Sequence, residues 1–448
     1  MSIPKKLESI SSTRLIAFSF LVIILVGATL LMFPFSSRSG EWTNPLTALF
    51  TATSATCVTG LAIYDTYMYW SVIGQVIILL LIQIGGLGLM TIISLFAIFT
   101  RKRIGLHERK LLMASSGNMR ISGIIQLIKK VATITLTCEA AGAISLCFTF
   151  IPKMGPVKGI YNAIFHSVSA FCNAGFDLMG RYEPGSSLAH FEQNAAVILP
   201  ICVLIIVGGI GFQVWMDIIE NKHHIKRYTL HTKVALLSTL VLIVGGSVLY
   251  FIFEYGGHLK LLSLPHKWLS CFLMSVTTRT AGFAGFDLTQ LSASGSILTM
   301  TLMLIGGCPG STAGGMKTTT IAVMICSVIG MSKGSSDITI FKRRLNKDLI
   351  KHAAVIVFVY ISAVLVATMA ICALEPVGIQ SVLFETSSAL GTAGLSQGLS
   401  ATAGVVTQLI LIVLMYGGRI GGLSLLLVFA EKKSEAKLKR PAERLMIG

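Results

Sequence analysis

Long apolar runs alternate with short polar stretches from one end of the chain to the other. The first run, Leu15–Phe35, is long enough to cross a hydrocarbon core of about 30 Å. Arg14 gives it the basic start of a signal peptide, but no small-residue cleavage site follows Leu31-Met-Phe-Pro-Phe35, so it reads as a retained helix. The next stretch, Asn44–Ala55, is apolar and helix-compatible but too short to span, and it runs into a polar, glycine-containing loop. A second long run covers roughly 70–100. The same order recurs, with first helices near 131–151, 232–255 and 350–374 and second helices near 194–219, 295–327 and 403–430. A short re-entrant segment is tolerated at membrane depth only where protein or a water-filled cavity surrounds it. The pattern therefore predicts an all-α integral membrane fold of eight spans, with four helix, re-entrant pore loop, helix repeats around a pseudo-four-fold pore. The repeats fall at 1–100, 101–220, 221–330 and 331–448, the first with a short N-terminal tail and the last with a C-terminal tail.

The four loops align. Cys-Val-Thr-Gly-Leu (57–61), Cys-Asn-Ala-Gly-Phe (172–176), Arg-Thr-Ala-Gly-Phe (279–283) and Gly-Thr-Ala-Gly-Leu (391–395) share a central glycine. These glycines are Gly60, Gly175, Gly282 and Gly394, at intervals of 115, 107 and 112 residues, and a phenylalanine (Phe50, Phe165, Phe272, Phe384) stands ten residues before each. Intervals this long exclude a solenoid and make each repeat a small assembly. Every second helix also carries a Gly-Gly pair: Gly85-Gly86, Gly208-Gly209, Gly306-Gly307 and Gly417-Gly418. Close helix packing is the plain reading of such pairs.

Composition agrees with a membrane protein, at 54% hydrophobic and 12% charged residues. The net charge of +17 does not mark a nucleic-acid binder, because the basic residues sit in the connections between spans. Arg101-Lys102-Arg103, Lys226-Arg227, Lys342-Arg343-Arg344 and Lys432-Lys433 mark one side, together with both termini. Glu41, Asp65, Asp177, Glu183, Glu254, Asp287 and Glu375 mark the other. Both termini are thus expected in the cytoplasm, with the loops dipping in from outside. Acids at an outer mouth concentrate cations, though a solvated rim carries the same residues. The nine cysteines show no CxxC spacing, so neither a zinc site nor a disulfide framework is indicated.

A dehydrated cation needs oxygens in place of its water shell, and a ring of backbone carbonyls supplies them without full charges. Aiming carbonyls at an axis takes backbone angles that glycine reaches without a Cβ penalty. Small residues precede each glycine (Thr59, Ala174, Ala281, Ala393), and no carboxylate lies at the glycine or in the three residues before it, which speaks against a multivalent ion. Simple glycine turns, with transport elsewhere, are the alternative.

Loops, span number and the glycine-rich interruption of the sixth span together resemble the Trk/Ktr/HKT superfamily of potassium transporters over essentially the whole chain. The eight-span plan is most similar to the KtrB-type membrane subunits of bacterial Ktr systems. The resemblance implies one filter glycine per repeat. The filter then comprises Val58, Thr59 and Gly60; Asn173, Ala174 and Gly175; Thr280, Ala281 and Gly282; and Thr392, Ala393 and Gly394. Some plant relatives that favour sodium carry serine at the first glycine, and Gly60 fits the potassium-permeable pattern. The resemblance further implies potassium uptake in a bacterial cell membrane, stimulation by sodium, no cofactor bound by this chain, a homodimer, and a cytosolic ring of nucleotide-binding KtrA-type subunits. No nucleotide-binding fingerprint occurs in this chain, and its basic loops and tail 431–448 suit docking to such a ring or to lipid headgroups equally.

Proline and glycine break the sixth span at Ile305–Thr320, which includes Gly306, Gly307, Gly310, Ser311, Thr312, Ala313, Gly314, Gly315 and Lys317. It looks like the family's intramembrane gate; a packed kink is the alternative, and a phosphate loop fails because Lys317 does not follow glycine directly and no strand precedes it. Arg419 in the last span is then expected to face the pore and meet the gate, against snorkelling to the interface. Arg279, three residues before Gly282, is expected to brace the filter from behind with Glu385 as partner, against a place on the outer rim. Glu139 in the third span is a buried acid with no visible partner. A sodium-preferring relative is the nearest rival. A membrane enzyme would need a cluster of acids or histidines in the spans, and an inverted-repeat transporter would need repeats of opposite orientation.

Overall fold

The structure, a computed structural model, describes residues 12–88, 124–334 and 338–421. The basic groups Lys5-Lys6, Arg101-Lys102-Arg103 and Lys432-Lys433, and the tail 431–448, lie outside them.

The helices follow the alternation of the sequence. The first repeat holds α1 (Ser12–Met32), the half-helix α2 (Pro45–Cys57) and α3 (Val72–Leu87). The second holds α4 (Ile124–Met154), the half-helix α5 (Pro156–Phe171), α6 (Ala195–Ile210) and α7 (Phe212–Asn221). The third holds α8 (Leu230–Glu254), the half-helix α9 (Leu264–Thr277), α10 (Ala293–Leu304) and α11 (Thr318–Ser332). A two-rung hairpin, β1 (Thr339–Ile340) with β2 (Arg343–Arg344), leads to α12 (Lys347–Leu374), the half-helix α13 (Ile379–Gly391) and α14 (Val405–Ile420). Four helices are long and apolar enough to cross a membrane among the described residues, in α1, α4, α8 and α12, the first helix of each repeat.

Local chemistry sets the starts. Proline occupies the first turn of α2, α5 and α9, where its missing N–H costs nothing. Side chains of Asn44, Ser71, Asn194, Thr229 and Ser292 accept from the opening N–H groups of α2, α3, α6, α8 and α10. Exposed Leu, Val, Ile and Phe line the outer faces of α1, α4, α8 and α12, as lipid-facing helices require, while the C-terminal halves of the half-helices are buried inside. Phe50, Phe165 and Phe384 are fully buried, and Phe272 is half-buried.

The second helix of the second repeat departs from the expected single span. The span expected over 194–219 is two helices, α6 and α7, meeting at 93° at Gly211. The cause lies in a recurring Gly-x-x-Gly. Gly85, Gly208 and Gly418 lie hard against the backbone carbonyls of Thr56, Phe171 and Leu390, where a Cβ would collide. Each of these carbonyls belongs to the residue four before a loop glycine. Three residues on, Gly88, Gly211 and Gly421 take φ of +81°, +105° and +91° and end their helices. Close packing and helix termination are thus built into one short motif.

Candidate functional site: four converging glycine loops

The half-helices end in the same way. Val58, Asn173, Thr280 and Thr392, two residues before each loop glycine, all adopt the left-handed conformation (φ 57°, 59°, 72° and 52°). In three repeats the next N–H turns back to a half-helix carbonyl: Thr59 to Ser54, Ala174 to Ser169 and Ala393 to Ser388, each at 2.8 Å. The third differs, with Ala281 donating to Thr277 at 2.9 Å because α9 stops five residues before Gly282. The glycines themselves are left-handed, with φ of +95°, +70°, +82° and +84°.

The four glycines form a closed ring. A methyl group on Gly60 would stand 2.6 Å from the carbonyl oxygen of Ala174, and one on Gly175 would stand 2.7 Å from that of Ala281. One on Gly282 would stand 2.9 Å from the oxygen of Ala393, and one on Gly394 would collide with that of Thr59. Each glycine therefore faces the carbonyl of the residue preceding the next glycine, all the way round. No side chain larger than hydrogen fits at any of the four positions. The negative poles of the four half-helices end just behind this ring, which favours a cation there. The side chain of Asn173, two residues before Gly175, lies against Gly208 and Gly209 of its own repeat.

On one side of the ring lies a cavity of about 610 Å³, lined by the four glycines and by Asp65, Asp177, Glu183 and Asp287. Asp65 is held by the N–H groups of Tyr67, Met68 and Gly185, all at 2.9 Å, and Asp287 by Thr289. Further out, Glu192 Oε1 meets His258 Nε2 at 2.7 Å and accepts from Ser270 Oγ at 2.9 Å. Burial opposes the charged imidazole, but the hydrogen bond and charge of Glu192 more than offset it, with Gln290 and Glu254 adding, so His258 titrates above its ordinary value. No cluster of metal-ligating side chains occurs among the described residues.

On the other side lies the glycine-rich loop between α10 and α11. Its base is closed by Gly306 N–H to Met316 (2.7 Å) and Met316 N–H to Leu304 (3.2 Å). Its tip is stitched onto the break between α6 and α7. Cys308 N–H donates to Gly209, Thr312 N–H to Gly208 and Phe212 N–H to Gly310, at 2.9, 3.3 and 2.8 Å. The backbone groups freed by that break are thereby satisfied at membrane depth. Thr312 Oγ1 also donates to Phe171 at 3.1 Å, Ser311 Oγ donates to Cys308, and Gly314 lies against the side chain of Thr392. Arg419 reaches from α14 to the carbonyls of Thr312, Gly85 and Gly86, so it turns inward and does not snorkel. Lys317 Nζ donates to Ala313 (2.7 Å) and Gly314 (3.3 Å).

The expected pairing of Arg279 with Glu385 is not found. The fully buried Glu385 carboxylate accepts from Ser396 Oγ (2.9 Å), Ser400 N–H (3.1 Å) and Ser400 Oγ. Hydroxyls and an N–H satisfy its oxygens locally, within the segment that follows Gly394. Arg279 is 6% exposed, which excludes the outer rim, and it forms no ion pair among the described residues; its Nε has no hydrogen-bond partner. Glu139 is 7% exposed, with Gln83 as its polar neighbour and Oε1 without a partner. The serines around Glu385, the Gly208-Gly209 docking site and the glycine helix stops went unrecognised in the sequence. Only the glycines left a signal, the Gly-x-x-Gly at 85/88, 208/211 and 418/421.

Comparison with known proteins gives this geometry a context. Residues 5–440 match the family model TrkH, described as cation transport protein. The chain is 42% identical to the potassium/sodium uptake protein NtpJ of Enterococcus hirae across 100% of both chains. It is 36% identical to the Ktr system potassium uptake protein B of Bacillus subtilis, over 97% of this chain and 96% of that one. The crystal structure of the potassium transporter TrkH from Vibrio parahaemolyticus superposes with a TM-score of 0.75 at 17% identity, covering 96% of this chain and 87% of that chain, which shows a shared fold. A helical chain with four membrane-length spans and a match along nearly its whole length belongs to the TrkH family of cation transport proteins, a family of transporters and not of enzymes.

Proposed function

We propose that this chain carries potassium ions inward across the cell membrane, down their electrochemical gradient, through the ring at Gly60, Gly175, Gly282 and Gly394. One observation carries the reading: the carbonyls of Thr59, Ala174, Ala281 and Ala393 each face the glycine of the neighbouring repeat in a closed circuit. Such a circuit replaces a hydration shell with neutral oxygens and suits a monovalent ion. The acid-lined cavity is then the outer mouth, the loop 305–317 is the gate beneath the filter, and both termini are cytoplasmic. In this scheme the four repeats, eight spans and pseudo-four-fold axis belong to one pore per chain. Arg419 pins the closed gate to the first repeat's α3 and places a positive charge beside the path. The names of the relatives, potassium/sodium uptake protein and Ktr system potassium uptake protein, support the choice of ion and a place in a multi-component system. A homodimer on a cytosolic ring of KtrA-type nucleotide-binding subunits, with sodium as a stimulating ion, completes the proposal.

Rubidium uptake into potassium-uptake-deficient bacterial cells tests it, comparing the chain with Gly282→Asp and using potassium and sodium as competitors. Uptake that potassium blocks, and that the substitution abolishes or makes unselective, is the expected result. No uptake from membrane-inserted protein, with or without a KtrA-type partner, overturns it. A second reading, a sodium-preferring or non-selective transporter of the same fold, is favoured by the potassium/sodium name of the 42%-identical relative; sodium competing as well as potassium would establish it.

A further inference from the structure

Lys317 is the second cation at the gate, and it binds differently from Arg419. Three consecutive carbonyls of the loop are occupied: that of Thr312 by Arg419, and those of Ala313 and Gly314 by the Lys317 ammonium at 2.7 and 3.3 Å. No carboxylate pairs with Lys317 among the described residues; its polar partners are backbone oxygens. An alkylammonium head has the charge and close to the size of a dehydrated potassium ion, and here it is held by the kind of ligand that such an ion uses. The position is also the right one. Gly314 lies against Thr392 of the fourth filter loop, and Gly315 lies close to the carbonyl of Gly391. Lys317 itself caps the start of α11, so its side chain doubles back on carbonyls only three and four residues earlier. A short covalent tether gives the ammonium a high effective concentration at those oxygens.

We propose that the Lys317 ammonium is an internal competitor of the permeating ion, filling carbonyls of Ala313 and Gly314 that a potassium ion coordinates when it passes the gate. The inference rests on reading 305–317 as the gate and adds how that gate senses the ion. An arriving potassium ion displaces the ammonium, the loop loses the tie that folds residues 313–317 back on themselves, and the path is released. Arg419, which binds Thr312 and α3 instead, is a strut and not a competitor.

The test is the initial rate of rubidium uptake against rubidium concentration for the full chain, in the same cells, with Lys317→Met, Lys317→Gln and Lys317→Arg. Removing the charge is expected to lower the half-saturating concentration about tenfold, the worth of hydrogen bonds from one charged group. Lys317→Arg retains the charge but not the compact head, so its half-saturating concentration is expected to fall between those of the parent and Lys317→Met, and potassium-over-sodium preference is expected to hold in all three. A purely structural lysine predicts instead a lower maximal rate and melting temperature at unchanged half-saturation. That result, in Lys317→Met or Lys317→Gln present in the membrane at the parent level, overturns the proposal. If Lys317→Met does not reach the membrane, Lys317→Gln decides. Gly282→Asp run alongside separates the two readings. An unaffected Gly282→Asp removes the ion path itself, whereas its expected loss with unchanged half-saturation in the lysine variants removes only the competitor.

Discussion

A single methyl group is too much for the ring, and the reason differs from ordinary overpacking. At Gly60 the backbone is left-handed (φ +95°), and the space a Cβ needs is held by the Ala174 carbonyl, an atom of the ring itself. Gly60→Ser therefore costs about 1–2 kcal/mol of backbone strain and displaces one of four oxygens. The expected outcome is lower rubidium uptake with a weaker preference for potassium over sodium, measured by competition; unchanged selectivity would separate Gly60 from the ion path. Glu385 shows what a sequence hides at this scale. Its acidity beside a glycine loop was legible, but its partner was not. Arg279 is its obvious counter-charge on paper, yet Ser396 and Ser400 lie closer on the chain and satisfy it without a second buried charge. Glu385→Gln turns an acceptor into a partial donor facing the Ser400 N–H. It is expected to cost about 1–3 kcal/mol in thermal unfolding of the detergent-solubilised protein. Combined with Arg279→Gln, it is expected to be additive within about 0.5 kcal/mol, since the two share no contact. A larger coupling would restore the pair.

Among the elements, the half-helices and long spans were legible because hydrophobic length and proline position are local signals, and Asn44–Ala55 became α2 (Pro45–Cys57) with little change. The 93° break at Gly211 was not, because Ile205–Phe212 is as apolar as an unbroken span; the Gly-x-x-Gly permits the turn, and the fit of the loop to Gly208 and Gly209 holds it. Loop and break are complementary: each supplies hydrogen bonds that the other lacks inside the membrane. Deleting 311–315 removes the Thr312 ties to Gly208, Phe171 and Arg419 together, so faster rubidium flux with intact selectivity is the expected outcome. A slower or unchanged rate counts against a gate. Gly211→Ala probes the same joint from the other side. Its φ of +105° disfavours a Cβ, which would also stand 2.7 Å from the Pro309 carbonyl. A partial gain in flux, smaller than that of the deletion, is expected in the same assay.

Across the whole molecule, adjacent repeats are tied to one another around the acid-lined cavity. Gly185 N–H meets Asp65, Leu188 N–H meets Ala284 at 2.9 Å, and Gln397 Nε2 meets Leu288 at 3.2 Å. The His258–Glu192 contact joins the third repeat to the second, with Ser270 on the same carboxylate oxygen and Phe286 stacked on the imidazole at 4.0 Å. Such ties join residues 66 to 120 apart in sequence, which is why no local pattern announced them. Of these ties, that of His258 is switchable by pH. His258 titrates above its ordinary value in the folded protein, so folding takes up protons there and the contribution is complete below about pH 6.5, the value of a free imidazole. It is lost as pH rises through the elevated folded value, because a neutral imidazole keeps at most the hydrogen bond. The melting temperature of the solubilised protein is therefore expected to fall, as pH rises above about 6.5, by more than that of His258→Gln, which can hydrogen-bond but not titrate. The difference corresponds to about 1 kcal/mol, on the order of 2 °C. Parallel curves for parent and variant would mean that the charge of His258 contributes nothing to joining the two repeats, leaving the backbone tie from Leu188 to Ala284 to hold that side of the cavity together.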